Sequence, residues 1–154
     1  MWRISVETEP VPKLRARGRR NPKAYLPGRK GRRIIFYTPK RTREFERTIA
    51  WAWKRRYGSL RLGGPLAVGI LLEAPSKRGD IDNLTKSSLD GLRDAFNDRQ
   101  VEALLVVYLR SPRPRVNAVI LPWKAEAAGR IIGTLADCLM RGRRTRASRA
   151  QETR

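Results

Sequence analysis

Seven consecutive residues in the middle of the chain, Leu66 to Leu72, are apolar or glycine at every position. Neighbouring side chains of a β-strand point to opposite faces of its sheet, so a strand of this composition needs cover on both faces. Pro75 follows and ends the run, because proline cannot donate a hydrogen bond within a sheet. We therefore predict a central strand, in a sheet that has helices packed against it.

The stretch before this strand has the pattern of an amphipathic helix. Thr38 and Pro39 suit the N-cap and the first helical position, and Gly58 suits the C-terminal cap. Between them, apolar residues recur with helical spacing at Phe45, Ile49, Ala52 and Trp53. Trp51 lies off this stripe, which leaves two interpretations: it stacks on a base or sugar of a nucleic acid, or it covers a neighbouring strand.

Further apolar or alternating runs predict strands at residues 1–10, 33–37, 101–109 and 116–121. The residues Ser111-Pro112-Arg113-Pro114 favour a turn that joins the last two strands as a hairpin. A final helix is predicted for about residues 124–140, and a basic tail for residues 141–154. The predicted fold is α+β, or mixed α/β, with a single domain over residues 1–140 and a mixed sheet flanked by helices.

Positive charge dominates the composition: 35 Lys and Arg stand against 14 Asp and Glu, for a net charge of +21. Such an excess indicates a nucleic-acid partner. Residues 11–33 show no periodicity and predict a basic loop that becomes ordered on DNA, although a solvated arm without a specific role is the alternative. The candidate DNA-binding residues are Lys13, Arg15, Arg17, Arg19, Arg20, Lys23, Arg29, Lys30, Arg32, Lys40, Arg41 and Arg43.

Two features of the composition narrow the chemistry. The chain has no histidine, which removes the usual general base, the usual transition-metal ligand and every Ser–His or Cys–His mechanism. The single cysteine, Cys138, excludes an internal disulfide and a multi-cysteine zinc site, and we interpret it as a small buried apolar group. No run of 18 apolar residues occurs and the first residues do not resemble a signal peptide, so we expect a soluble, cytoplasmic protein with no membrane partner.

Negative charge is concentrated in one short segment. Five of the six aspartates fall within nineteen residues, at Asp80, Asp82, Asp90, Asp94 and Asp98. Carboxylates this close together repel each other and raise each other's pKa unless a cation lies among them. The segment therefore predicts a Mg²⁺ site, since Mg²⁺ prefers oxygen ligands.

A helix is predicted across this segment, with Asp82 as its N-cap and Lys86 and Asp90 following on one polar stripe. The opposite, buried face is predicted to contain Leu84, Ser88, Leu92, Ala95 and Phe96. A purely structural interpretation gives Asp82 a capping role and pairs Lys86 with Asp82 and with Asp90. That interpretation leaves Asp80 and Asp98 unexplained.

Residues 80–92 read D-I-D-N-L-T-K-S-S-L-D-G-L, close to the pattern D-x-D-N-L-x-K-x-x-L-D-x-L, and residues 97–101 read N-D-R-Q-V, close to D-D-x-Q-V. In these motifs the chain resembles the RusA-type crossover junction endodeoxyribonucleases, the Holliday junction resolvases of bacteria and their phages. The resemblance extends over about residues 3–121. It implies a RusA-like fold and a dimer.

The resemblance also implies roles for individual residues. Asp80, Asp82 and Asp98 are expected to bind the metal, Lys86 to be the essential lysine beside them, and Asp90 to be secondary. The expected activity is Mg²⁺-dependent cleavage of four-way DNA junctions during recombination and repair, with Mn²⁺ as a substitute. One departure is Asn97, which stands where many members have the first aspartate of a pair.

A junction is resolved by two symmetric cuts and the chain has one acidic cluster, so we expect a homodimer that presents two sites. Two alternatives remain open at this stage. A non-catalytic nucleic-acid-binding protein explains the charge but makes the aspartates caps and loop residues. A general metal-dependent nuclease on branched or duplex DNA, with Glu73 as a further ligand, explains both the positive charge and the cluster of aspartates.

Overall fold

A computed structural model describes residues 1–14, 17–20 and 34–151, with the backbone alone for residues 17–20, 34–36 and 141–151. The strands within these ranges are β1 (Trp2–Val6), β2 (Arg17–Arg20), β3 (Ile34–Tyr37), β4 (Leu66–Ala74), β5 (Val101–Arg110) and β6 (Arg115–Pro122). The helices are α1 (Lys40–Tyr57), α2 (Ile81–Gly91) and α3 (Ala128–Gln151). Short 3-10 turns, Asp98–Gln100 and Ala125–Ala127, precede β5 and α3.

The predicted central strand is confirmed. β4 lies inside a four-stranded mixed sheet of order β1-β6-β4-β5, and all nine of its residues are buried. Its Val68 and Ile70 face a core that α1 and α2 cover, whereas Ala67 and Leu71 face a second core under α3. The predicted α+β fold, with helices on both faces of one mixed sheet, is therefore also confirmed.

The predicted hairpin between β5 and β6 is wrong. β5 pairs with β4 in parallel and β6 pairs with β4 antiparallel, so β4 separates the two strands. The turn after β5 does reverse the chain, but it crosses the end of β4, where the Ser111 N–H donates to the Ala74 carbonyl at 3.0 Å. α2 lies in the crossover connection that a parallel β4–β5 pair requires.

Several element boundaries differ from the predictions. The first strand ends at Val6 rather than Pro10, and α1 begins at Lys40 with Pro39 as its N-cap, one residue later than predicted. The predicted C-cap is confirmed: Gly58 has φ 62° and its N–H donates to the Lys54 carbonyl at 2.8 Å. Part of the predicted basic loop is a strand, since β2 pairs with β3 in a separate two-stranded ribbon.

The predicted end of the last helix at residue 140 is also wrong, because α3 continues to Gln151. The arginines beyond Met140 have high helix propensity, and no proline interrupts them. Cys138 is half-buried at the edge of the core beneath α3, with its Sγ 3.5 Å from the Met1 Sδ. In the described part of the chain, no helix is long and apolar enough to cross a bilayer.

Helices α1 and α2 pack closely at one point. The apolar stripe of α1 is buried as predicted at Phe45, Ile49 and Trp53. At Gly91, the last residue of α2, a Cβ atom would lie 2.8 Å from the Ile49 Cβ and 3.1 Å from the Glu46 carbonyl oxygen. Only glycine permits this approach, so Gly91 determines how near the two helices lie.

Candidate active site

The acidic segment begins in the loop that connects the end of β4 to α2. Gly79 turns the chain with φ +94°, a conformation that favours glycine, and a Cβ atom there would lie 2.9 Å from Pro12. Asp80 follows as the N-cap of α2, and its carbonyl accepts from the Leu84 N–H at 3.1 Å. The prediction that Asp82 is the N-cap is therefore wrong: Asp82 lies in the first turn of the helix, and both aspartates are exposed.

The segment of residues 10–13 holds α2 in place, and we call it the brace. The Lys13 N–H donates to the Asn83 carbonyl at 2.8 Å, and the buried Ser87 hydroxyl donates to the Val11 carbonyl. On the other side, the Thr42 hydroxyl of α1 donates to the Pro12 carbonyl at 3.4 Å. The brace thus joins the start of α1 to the first half of α2.

An open cleft of about 560 Å³ runs beside α2. Its charged residues are Asp82, Lys86 and Asp98, and its other lining residues are Thr85 and the apolar Ile81, Leu89, Leu104 and Val106. A smaller adjoining recess again contains Lys86 and Asp98, together with Asp90. The structure therefore brings three of the predicted site residues together from two elements, whereas Asp80 lies next to the cleft in sequence but does not line it.

Asp98 is presented by a capped turn. The Asn97 side chain accepts from the Arg99 N–H at 3.0 Å, and the Gln100 side chain accepts from the Asn97 N–H at 2.8 Å. The Gln100 amide nitrogen also donates to the Leu62 and Gly64 carbonyls, which ties the turn to the loop before β4. Asn97 is thus the capping residue of the turn. Sequence analysis missed this role, although the Asn-x-x-Gln spacing is typical of a capping box.

Two substitutions of Asn97 distinguish the effect on stability of losing the capping hydrogen bond from the effect of adding a negative charge. We expect Asn97→Ala to lower the free energy of unfolding by about 1 kcal/mol, as loss of an N-cap usually does. Asn97→Asp keeps a side-chain oxygen that accepts the same hydrogen bond and is expected to retain the stability of the wild type. Urea denaturation of the three proteins measures this; equal stability of the alanine variant and the wild type would contradict the capping role.

The ion pairs of the purely structural interpretation are not formed. Lys86 is exposed to solvent. Among the residues whose side chains are described, it forms an ion pair with neither Asp82 nor Asp90. Asp90 instead accepts from Lys13 at 2.5 Å and from Arg93 at 2.7 Å. The charge of Lys86 is thus left facing the cleft.

Lys13, Glu46 and Asp90 form an internal charge cluster. The Lys13 Nζ lies 2.6 Å from Glu46 and 2.5 Å from Asp90, and all three side chains are largely shielded from water. Burial opposes the charged form of Lys13, but the hydrogen bonds to Asp90 and Glu46 outweigh it and raise its pKa. Burial likewise opposes the charged form of Asp90, yet the hydrogen bond from Lys13, aided by Arg93, lowers its pKa. The cluster links the brace to both helices.

The direction of the Asp90 pKa shift predicts an acid-dependent loss of stability. A carboxylate whose pKa is lowered by folding stabilises the protein above its unfolded pKa, about 3.9 for Asp, and this contribution is lost as the pH falls through the lower folded pKa. We expect Asp90→Asn to be less stable than the wild type at neutral pH and to lose less stability below roughly pH 4. Denaturation curves between neutral pH and strong acid measure the difference; parallel pH profiles would contradict it.

The residues of the cleft fit a divalent cation in a particular way. Within the described residues, no group of three or more Asp, Glu, His or Cys side chains is close enough together to hold an ion. Mg²⁺, however, commonly keeps several waters and binds through one or two carboxylates together with substrate phosphates. Asp82 and Asp98, which line the same cleft, are the carboxylates available for a site of this kind.

Glu73, the additional ligand of the general-nuclease alternative, lies elsewhere. It alternates with Leu72 along β4, so it shares with Leu71 the face of the sheet that α3 covers, whereas α2 packs on the opposite face. Glu73 is buried and its carboxylate lies 3.4 Å from the Asn117 amide nitrogen. This position does not favour Glu73 as a ligand beside Asp82.

The predicted DNA-binding residues fall into three groups. Five of them lie outside the described residues: Arg15, Lys23, Arg29, Lys30 and Arg32. Three more lie on β2, for which the backbone alone is described: Arg17, Arg19 and Arg20. Lys13 belongs to the internal charge cluster, whereas Lys40 and Arg41 are exposed at the start of α1 and form pairs with Glu44 and Glu9. Arg43 is exposed on α1 without a described ion pair.

Trp51 lies on the same helix with 61% of its surface exposed. The Arg55 guanidinium is 5.2 Å from the centre of its ring, and both residues border an open groove beside β1. Trp51 was interpreted either as a stacking surface for a nucleic acid or as cover for a neighbouring strand. Packing against the protein buries only the smaller part of its indole surface. The remaining surface is a flat aromatic face that lies beside the Arg55 guanidinium.

A strongly basic α+β domain whose cleft contains two aspartates and a lysine has features typical of small nuclease domains. Comparison with protein families makes the assignment specific: the family model described as endodeoxyribonuclease RusA matches residues 7–120. The chain belongs to the RusA family, which confirms the resemblance seen in its motifs. A search of individual curated proteins gives no significant match.

Proposed function

We propose that this chain is a Mg²⁺-dependent endonuclease that resolves four-way DNA junctions by paired, symmetric cuts, in the cytoplasm of a bacterium or of a phage-infected cell. The observation that carries the proposal is the cleft in which Asp82, Lys86 and Asp98 meet, in a member of an endodeoxyribonuclease family. The net charge of +21 supports a polyanionic substrate.

In this proposal each charged residue of the cleft has a distinct role. Asp82 and Asp98 hold the cation, whereas Asp80, at the N-cap of α2, does not line the cleft and adds negative charge next to it in sequence. When it is bound, Mg²⁺ or Mn²⁺ supplies Lewis-acid polarisation of the scissile phosphate and a more acidic water as nucleophile. Lys86 stabilises the negative charge that accumulates on the phosphate in the transition state.

Contacts to the junction come from surfaces outside the cleft. The basic residues 15–33 are proposed to contact the phosphates of the junction arms, largely without base recognition. The exposed face of α1, with Arg43, Trp51 and Arg55, is proposed to add phosphate contacts and a stacking surface for a base exposed at the crossover. One cleft per chain and two opposed cuts require a C2 homodimer.

The test is cleavage of a labelled four-way junction beside a linear duplex that contains the same sequences, with and without Mg²⁺. We expect paired cuts at symmetric positions in the junction, products that DNA ligase can seal, and no cleavage of the duplex. Equal cleavage of both DNAs would support a general nuclease instead. Junction binding without cleavage in either Mg²⁺ or Mn²⁺ would support a non-catalytic binding protein.

A further inference from the structure

The brace connects the basic residues 15–33 to the helix of the cleft. It is fixed in the core by Val11, which is buried, and it ends at Lys13, after which the basic residues follow along the chain. Beyond those residues the chain passes through β3 into α1, where the Thr42 hydroxyl donates to the Pro12 carbonyl of the brace. The basic segment therefore leaves from the brace and returns to it.

Helix α2 presents one stripe of its surface to the brace and the neighbouring stripe to the cleft. The brace contacts Asn83, Ser87 and Asp90, which recur at helical spacing. Asp82 and Lys86 line the cleft and come one position before Asn83 and Ser87. One residue corresponds to about 100° of rotation around a helix axis, so the brace holds α2 from the side next to the cleft.

We propose that Lys13 is a positioning residue for the cleft: by binding Asp90 on α2 and Glu46 on α1 together, it sets the rotation of α2 about its axis and thereby the positions of Asp82 and Lys86. This inference rests on the proposed function, because it concerns the cleavage step. Lys13 does not line the cleft or its adjoining recess, so it acts through α2.

The ammonium group of Lys13 joins three elements at one point. Its Nζ lies 2.6 Å from the Glu46 carboxylate and 2.5 Å from the Asp90 carboxylate. The exposure of the three side chains is only 16% to 22%, so salt and water screen these pairs less than pairs at the surface. Without the shared cation the two carboxylates repel each other. Lys13 therefore holds α2 and α1 at a fixed separation on this side.

A small rotation of α2 has a large effect on the cleft. Side-chain ends lie roughly 5 to 6 Å from a helix axis, so a rotation of about 10° moves the charged ends of Asp82 and Lys86 by about 1 Å. A displacement of about 1 Å can lower the rate of an enzyme by about 10²-fold. Asp98 does not move with α2, because Gln100 ties its turn to the Leu62 carbonyl before β4. Rotation of α2 therefore changes the distance between Asp82 and Asp98.

A phosphate contact is the alternative role for Lys13, which is one of the predicted DNA-binding residues. The groups described within ion-pair distance of its Nζ are both carboxylates, so a phosphate at this position would meet two negative charges. Loss of a phosphate contact weakens junction affinity and its salt dependence, but it does not slow the cleavage of DNA that is already bound. Loss of a positioning residue has the opposite effect: bound DNA is cut more slowly and affinity is retained.

Lys13→Met in the full-length protein distinguishes the two roles. We expect the single-turnover rate of junction cleavage at saturating protein to fall by about tenfold or more, and the junction Kd of the folded fraction to change by less than about threefold. Lys13→Arg keeps a cation that can bind both carboxylates, so its rate is expected to stay within about threefold of the wild type. Lys124→Met makes the same chemical change at an exposed position before α3 and is the matched control, with an unchanged rate.

A double variant distinguishes position from stability. Removal of Lys13 leaves Glu46 without its described ion pair, whereas Asp90 keeps Arg93. Lys13→Met/Glu46→Gln also removes that uncompensated acid, so we expect urea denaturation to show recovered stability while cleavage stays about tenfold or more below the wild type.

Three outcomes would overturn the proposal: cleavage that recovers together with stability in the double variant, a Lys13→Met variant that cuts bound junctions as fast as the wild type, or a Lys13→Arg variant as slow as Lys13→Met. The wild type separates these outcomes from a failure of the proposed function. If it cuts junction and duplex equally, the resolvase function fails and the same rate comparisons still decide the role of Lys13. If it cuts neither DNA, both proposals are overturned.

Discussion

Asp82→Asn is expected to reduce junction cleavage by about 10² to 10³-fold, which corresponds to roughly 3 to 4 kcal/mol of transition-state stabilisation. The substitution removes one of the two carboxylates that line the cleft and preserves the size of the side chain. Asp82 is exposed and makes no described ion pair, so its loss is not expected to affect folding. Single-turnover cleavage of a labelled junction at saturating protein concentration measures the effect.

Junction affinity separates a catalytic role from a binding role. A gel-shift titration of the Asp82→Asn variant is expected to give an affinity equal to or above that of the wild type, because a negative charge has been removed near a polyanion. Asp94→Asn is the matched control, since Asp94 is also exposed and follows the same helix but does not line the cleft. Equal losses of cleavage in both variants would show that general charge, rather than the cleft, accounts for the effect.

Gly91→Ala is expected to destabilise the fold by about 1 to 3 kcal/mol, the usual range for overpacking. The added methyl group would lie 2.8 Å from the Ile49 Cβ and 3.1 Å from the Glu46 carbonyl oxygen. The second of these atoms belongs to the backbone of α1, so the two helices must separate to admit the methyl group. At roughly 2 to 4 °C per kcal/mol for a chain of this size, thermal unfolding detects the change.

Gly133→Ala makes the same chemical change but is expected to stabilise the fold. Gly133 lies within α3 and a Cβ atom there would meet nothing within 4 Å. Alanine has higher helix propensity than glycine, so we expect a gain of up to about 1 kcal/mol. If both substitutions changed the stability in the same direction, the close approach at Gly91 would not control the packing of α1 on α2.

The parts of the fold that sequence analysis predicted have strong local signals. β4 was predictable because every residue of Leu66–Leu72 is apolar or glycine, and α1 because its apolar stripe is followed by a glycine cap. β2 has the sequence R-G-R-R, with no apolar alternation, so only its pairing with β3 reveals it. The hairpin prediction failed for a related reason: the residues of a turn show that the chain reverses, but not which strand becomes its neighbour.

In the candidate site, too, the features with a local sequence signal were predicted and those that depend on long-range packing were not. Asp82, Lys86 and Asp98 were predicted as a group from their motif, and the structure places them in one cleft. The N-cap was assigned to the wrong aspartate, because both Asp80 and Asp82 suit that position and the backbone turn at Gly79 decides between them. The partner of Asp90 is Lys13, 77 residues away, whereas the local pattern suggested Lys86. Local spacing identifies candidates, and long-range packing selects among them.

The brace complicates mutational surveys of the basic segment. Lys13 is the last residue of the brace and the first of the thirteen basic residues that extend to Arg43. A scan that replaces these residues one at a time and scores DNA affinity would record a defect at Lys13 even if this residue never met a phosphate, because its loss leaves Glu46 and Asp90 without their shared counter-charge. Affinity losses at this position are therefore interpretable only beside a measurement of how much of the variant is folded.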